Sequence, residues 1–159
     1  MVSEALPTQA SRIPQALRHL GANIQLKVRL RQDGVFYTPS TVHLGNSIVH
    51  YYRNGNRQDS PTPGQIQHIF AREHQHYFAV SRHLPPPAGT FDPFRFYPHV
   101  PIKLYSSDFA EGLEIIQVDW VLGHCARWSM SPHHVAIVSL SRVSVSLPSV
   151  TILGSMCKA

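Results

Sequence analysis

The chain has 159 residues, enough for one domain with a substantial core, and a mean hydropathy of −0.13 that fits a globular protein. Charged residues are only 14% of it, against roughly 25% in ordinary globular domains, and 11 His and 13 Pro fill part of that space. No apolar run reaches the roughly 18 residues of a membrane-spanning helix, the N-terminal residues lack the apolar core of a signal peptide, and two distant cysteines make no disulfide framework. The expectation is a reduced, intracellular chain with no membrane span. Its sparsely charged surface is suited to working beside a larger partner. The net charge of +5 favours acidic partners, although the basic residues are scattered singly rather than gathered in runs.

In chain order, residues 1–22 read as a flexible tail with one helical turn near Gln15–Leu20. Asn23–Leu30 alternates and reads as a strand, residues 31–34 (RQDG) as a turn, and Val35–Tyr37 as the return of a hairpin that Pro39 ends. Thr41–Tyr52 reads as strand with a bulge or kink at Gly45 and Asn46. Residues 53–64, with an Asn-Gly pair and two prolines, read as surface loop. Gln65–Phe70 and Tyr77–Arg82, joined by a turn at 73–76, are expected to pair as a hairpin.

Residues 83–99 are too rich in proline for a central strand, and Phe91, Phe94, Phe96 and Tyr97 suggest a packed loop. Ile102–Ser107 alternates, Asp108 and the Ala110-Glu111-Gly112 turn interrupt it, and Leu113–Val118 is a β-branched run. Residues 120–128 close this segment, a turn follows, and Val135–Leu140 reads as a buried strand. Residues 143–159 are β-like in composition and are expected as a tail or an extra strand. About seven short strands, frequent turns and little helix indicate an all-β barrel or sandwich over residues 23–142.

Four ordered pieces carry a family resemblance: Pro63-Gly64-Gln65-Ile66 with Ile69-Phe70, then Phe78-Ala79-Val80-Ser81-Arg82, then Leu104-Tyr105-Ser106-Ser107-Asp108, then Val121-Leu122-Gly123-His124-Cys125. Together, over about residues 41–142, they resemble a BAH (bromo-adjacent homology) domain, with His124 standing where that family usually has Lys. The wording of residues 43–52, 92–99 and 118–128 also resembles a module at the ends of fungal transposon-related proteins. The resemblance implies a small BAH-like β-barrel with long Pro-rich loops. It also implies a nuclear, non-enzymatic module that binds a histone tail or another chromatin protein, sometimes through an aromatic cage for methyl-lysine. A nucleic-acid-binding accessory domain from a mobile element, with DNA as partner, is the alternative.

Read residue by residue, a methyl-ammonium site needs ring faces and a nearby carboxylate. Tyr105 and Asp108 lead the candidates, with Tyr77, Phe94, Tyr97 and Trp128 as a surrounding wall; the competing reading is that these rings fill the core or staple the loop. His68, His74 and His76, and separately His124, Cys125, His133 and His134, lack metal-site spacing, and neighbours on a strand face apart. No metal or cofactor is expected. Cys125 beside His124 fails as a nucleophile–base pair for the same reason, and Asp108, Glu111 and Glu114 read as a solvated turn. No reaction is expected.

Overall fold

A computed structural model describes residues 4–7, 13–21 and 23–141. The expected extra strand or tail at 143–159, with Cys157, lies outside the described residues. Among the described residues the fold is a ten-stranded, antiparallel β structure, and the helices are short 3₁₀ turns. None of the described helices is long and apolar enough to cross a membrane. The strands are β1 (Glu4–Pro7), β2 (Gln25–Gln32), β3 (Val35–Tyr37), β4 (Ile48–Tyr51) and β5 (Thr62–Arg72). They continue with β6 (Gln75–Arg82), β7 (Ile102–Ser106), β8 (Glu114–Gln117), β9 (Val121–Ser129) and β10 (His134–Ser139).

The longest strand, β5, carries the topology. Along one edge it pairs with β6 from Gly64 to Arg72. Its other edge is divided, with Thr62–Gln65 on β4 and Ile69–Ala71 on β2. From β4 the path runs through β9 and β10 to β7, while β8 pairs with β6, and β1 and β3 with β2. A bulge between Ile66 and His68 inserts one extra residue on β5. It turns Ile66 and Ile69, three apart, onto one face with Phe78, Val80, Val49, Tyr51, Leu30 and Ile116. Phe70 and Ala79 go to the other face and meet Leu17 and Ile24. A third cluster joins Ile48, Cys125, Val135 and Ile137, with Tyr105 packed against it.

The ladders do not close into a ring among the described residues. The chain beyond β6 nevertheless touches the end of β7: His83 bridges to Phe109, and Ser106 N–H donates to the Leu84 carbonyl at 2.9 Å. Ala110 N–H likewise donates to the Arg82 carbonyl at 2.8 Å.

Several expectations shift for local reasons. Residues 1–22, expected as a flexible tail, hold β1, which pairs with β2, and the 3₁₀ turn Gln15–Leu20, which buries Leu17. In place of a strand from Thr41, the backbone turns twice before β4. Val42 and His43 N–H donate to the Pro39 carbonyl, and His43 Nδ1 accepts from Asn46 N–H. β5 begins inside the expected loop, with Pro63 opposite His50; proline gives up a donor there, but its carbonyl still accepts from His83 N–H at 3.0 Å. The β2–β3 and β5–β6 hairpins turn on two residues each, Asp33-Gly34 and Glu73-His74, all four with positive φ, the twist that suits paired strands.

Gly64 matters for space. A Cβ there would sit 2.9 Å from Cε1 of the buried Tyr51 ring and 3.5 Å from Val80 Cβ. The ring cannot swing aside, because Tyr51 OH donates to Glu114 Oε2 at 2.7 Å. Gly64→Ala is expected to lower stability by about 1–3 kcal/mol through overpacking. The urea midpoint checks this; an unchanged midpoint would mean that the Tyr51 wall yields.

Candidate functional site

Strand register decides which of the candidate side chains meet. Across β9, β10 and β7, Ser129, Val135 and Tyr105 lie in one row, and Trp128, Ala136 and Leu104 in the next. Opposed residues share a face and neighbours alternate, so Tyr105 and Trp128 lie on opposite faces. Tyr105 packs on the cluster of Ile48, Cys125, Val135 and Ile137, and its ring is 6.5 Å from His83. Burial, and then Cys125, raise its pKa. Trp128 is 72% exposed on the other face.

Asp108 is exposed just past β7; its backbone N–H donates to Ser106 Oγ at 3.1 Å, and its carboxylate has no partner among the described residues. Tyr77 stacks on Phe70 at 5.4 Å and donates to Gln75 Oε1. It lies on β6 six residues from His83, about 20 Å along the strand, and so does not join Tyr105. Phe94 and Tyr97 belong to the 3₁₀ turn Pro93–Phe96 and its C-cap, which lies against β7. Asp92 caps that turn by accepting from Phe94 N–H at 2.8 Å. Phe94 is half-buried, whereas Tyr97 is 63% and Phe96 60% exposed. The six candidates therefore do not make one cage. They divide into Tyr105 on the inner face, Tyr77 at the far end, Asp108 exposed past β7, Phe94 and Tyr97 in the Pro-rich loop, and Trp128 on the outer face of β9.

On that outside, Ala126 shares the face of Trp128, Val138 lies opposite Ala126, and Leu140 follows just past the end of β10. Leu122 and Leu140 are exposed. Arg95 sits over Phe91 at 5.2 Å and over Phe96 at 4.7 Å, so its own guanidinium already occupies both ring faces. Trp128 and Tyr97 are not in such a pair among the described residues.

The polar cluster that sequence reasoning missed centres on Glu114. Far from lying on a solvated turn, it belongs to β8, and its carboxylate accepts from Tyr51 OH and from Arg82 Nε, both at 2.7 Å, with Arg53 at 3.1 Å. Burial opposes its ionisation, but the two hydrogen bonds and the two guanidinium charges outweigh burial and hold its pKa below the ordinary range. Burial, reinforced by Glu114, pushes Tyr51 upward. The available signal was a single carboxylate in a β-branched run. The group clamps strands together and, with its carboxylate saturated, offers no free base.

His124 and Cys125 do face apart. The His124 ring is 4.7 Å from Tyr37, and Cys125 is buried beside Ile48. Burial pushes the Cys125 thiol up to about 12, the opposite of an activated nucleophile. Among the described residues no three His, Cys, Asp or Glu side chains converge as a metal site. His83, expected in the loop, is instead 1% exposed, with Nδ1 3.3 Å from the Ser106 carbonyl.

No protein-family model matches this sequence, and no curated protein matches it significantly.

Burial first, and then the charges of Arg127 and Lys103 respectively, lower His83 and His50 from 6.5 to about 4. Between those values the unfolded chain holds protons that the folded chain does not. The stability these groups contribute is therefore full above pH 6.5 and is lost as pH falls towards about 4. The clamp at Glu114 is lost in the same direction, as that carboxylate protonates below its ordinary range. Urea midpoints should fall steadily over this window, and less steeply in His83→Gln. A midpoint independent of pH down to the carboxylate range would contradict the burial of these rings.

Proposed function

We propose that this chain is a non-enzymatic interaction module of BAH-like plan that docks a histone tail or another chromatin protein in the nucleus. The observation that carries the proposal is that Trp128 of β9 and, just past β10, Leu140 are exposed on one face of this strand pair. Exposed aromatics clustered on a rigid sheet are typical anchors for protein partners. The BAH-like plan draws support from where its four pieces fall, in β5, in β6, at the end of β7 and in β9. The bonds of Arg82–Leu84 to Ser106–Ala110, which join the chain after β6 to the end of β7, add to it. A buried, high-pKa Cys125 and a saturated Glu114 favour binding over catalysis.

The ligand-contacting residues in this reading are Trp128 and Tyr97, with Phe94 supporting the loop and Asp108 supplying a carboxylate near the end of β7. Tyr105 and Tyr77 act from within the fold. A histone-peptide array run beside a duplex-DNA titration tests the proposal. A peptide should be selected, and Trp128→Ala should weaken it by about 1–3 kcal/mol, the scale of an aromatic anchor, without moving the urea midpoint. Asp108→Asn should weaken a cationic peptide and leave the fold intact. Equal binding by Trp128→Ala and the parent would place the docking face elsewhere.

One observation favours the second reading, a DNA-binding accessory domain. Phe36, exposed on β3, has Arg29 at 5.7 Å and Arg31 at 5.4 Å over its ring, a basic and aromatic combination suited to nucleic acid. In that case affinity for DNA falls steeply with added salt, and Arg31→Gln reduces the salt slope.

A further inference from the structure

Strand β9 gives one edge to β10 along Cys125–Ser129, while β4 takes its other edge only as far as His124. Two bonds show which backbone groups face which way. Leu140 N–H donates to the His124 carbonyl at 3.0 Å, and Met130 N–H donates to the His134 carbonyl at 3.0 Å. In an antiparallel ladder such bonded pairs recur at every second residue, so Ala126 and Trp128 also bond to β10. The N–H and C=O groups of Arg127 and Ser129 point the other way, and among the described residues no strand pairs with them. On the outer face of this free edge Ala126, Trp128 and Met130 are all exposed, Trp128 at 72% and Met130 at 49%. A strand edge with free donors and acceptors is a template for another strand.

We infer that this edge pairs antiparallel with the same edge of a second copy of the chain, about a two-fold axis at Trp128. The register is self-complementary. Arg127 of each copy exchanges both backbone hydrogen bonds with Ser129 of the other, which satisfies every free group of these two residues. The two Trp128 side chains meet in a non-hydrogen-bonded pair, where side chains come closest and aromatic pairs are favourable. Ala126 falls opposite Met130 of the second copy. Arg127, the one charge between Ala126 and Met130, falls opposite Ser129, so no like charges are directly opposed. Five residues a side, Ala126–Met130, is well below the roughly 20–30 of a standard interface, so the dimer is weak and concentration-dependent. It covers Trp128, and self-association competes with any partner docked there. The inference goes beyond the docking reading and does not depend on which partner Trp128 takes.

Sedimentation equilibrium of the full chain over about 5 to 500 µM, the range of weak association, provides the test. The mass should rise from 17.9 kDa towards twice that value. At the concentrated end, amide exchange at Arg127 and Ser129 should slow, while Ala126 and Trp128, already bonded to β10, should not change. Ser129→Pro removes an outward N–H without touching the β10 ladder, and should weaken association by at least about tenfold. Trp128→Lys sets like charges against each other across the two-fold axis and should do the same. Its side chain is 72% exposed, so this variant keeps the fold if Ser129→Pro does not. Peptide docking at the dilute end, where the chain is monomeric, should survive Ser129→Pro, so the two readings fail separately. A mass of one chain throughout, or association that leaves exchange at Arg127 and Ser129 unchanged, would overturn the inference.

Discussion

The structure depends on how β5 shares its edges. A strand of 11 residues, Thr62–Arg72, gives one edge to β6 and divides the other between β4 and β2. Where the divided edge changes partner, the backbone is not left unpaired. Ile66 N–H donates to the Ser47 carbonyl at 2.7 Å, and the Ile66 carbonyl accepts from Ser40 N–H at 2.8 Å. Ser40 Oγ also reaches Gln67 Oε1, at the extra residue of the bulge. Buried backbone groups without partners are costly, so these loop contacts are what allow one strand to serve two sheet segments. The bulge then sorts side chains, sending Ile66 and Ile69 into one core and Phe70 into another.

Polar clamps lock the corners of this frame. Glu114 ties β8 to Tyr51 of β4 and Arg82 of β6, and Gly64 leaves room for the Tyr51 ring that reaches it. Removing one partner would leave a half-buried charge short of its hydrogen bonds, which costs more than the pair contributes when intact. His83 clamps the junction of β6 and β7 from inside. The acid sensitivity expected of the chain arises from these interior groups rather than from a surface switch.

Much of the sheet was legible in the sequence. The β5–β6 hairpin showed because two apolar stretches flank a turn, β7 showed by alternation, and β8 and β10 showed as β-branched or apolar runs. What escaped depends on turns that composition does not mark and on long-range contacts. Residues 41–47 have strand composition, yet the Pro39 carbonyl captures two amides and turns the chain. Pro63 was read as a loop breaker, but its missing donor costs little where its carbonyl finds His83. The aromatic candidates were identifiable by type, but their grouping was not. Opposite faces for Tyr105 and Trp128 follow only from the register of β9, β10 and β7. Glu114 looked like part of a turn because nothing local reveals Tyr51, 63 residues away, as its partner.

Among the described residues Trp128 of β9 is the most exposed large apolar side chain, and the docking face we propose is centred on it. Hydrogen–deuterium exchange of the full chain, with and without a saturating histone-tail peptide, tests this most directly. The account predicts new protection in the Pro-rich loop around Phe91–Tyr97 and in β9 and β10, with β2 and the Glu73-His74 turn unchanged. Protection confined to the β2–β3 hairpin around Phe36, with none in β9 or β10, would contradict it.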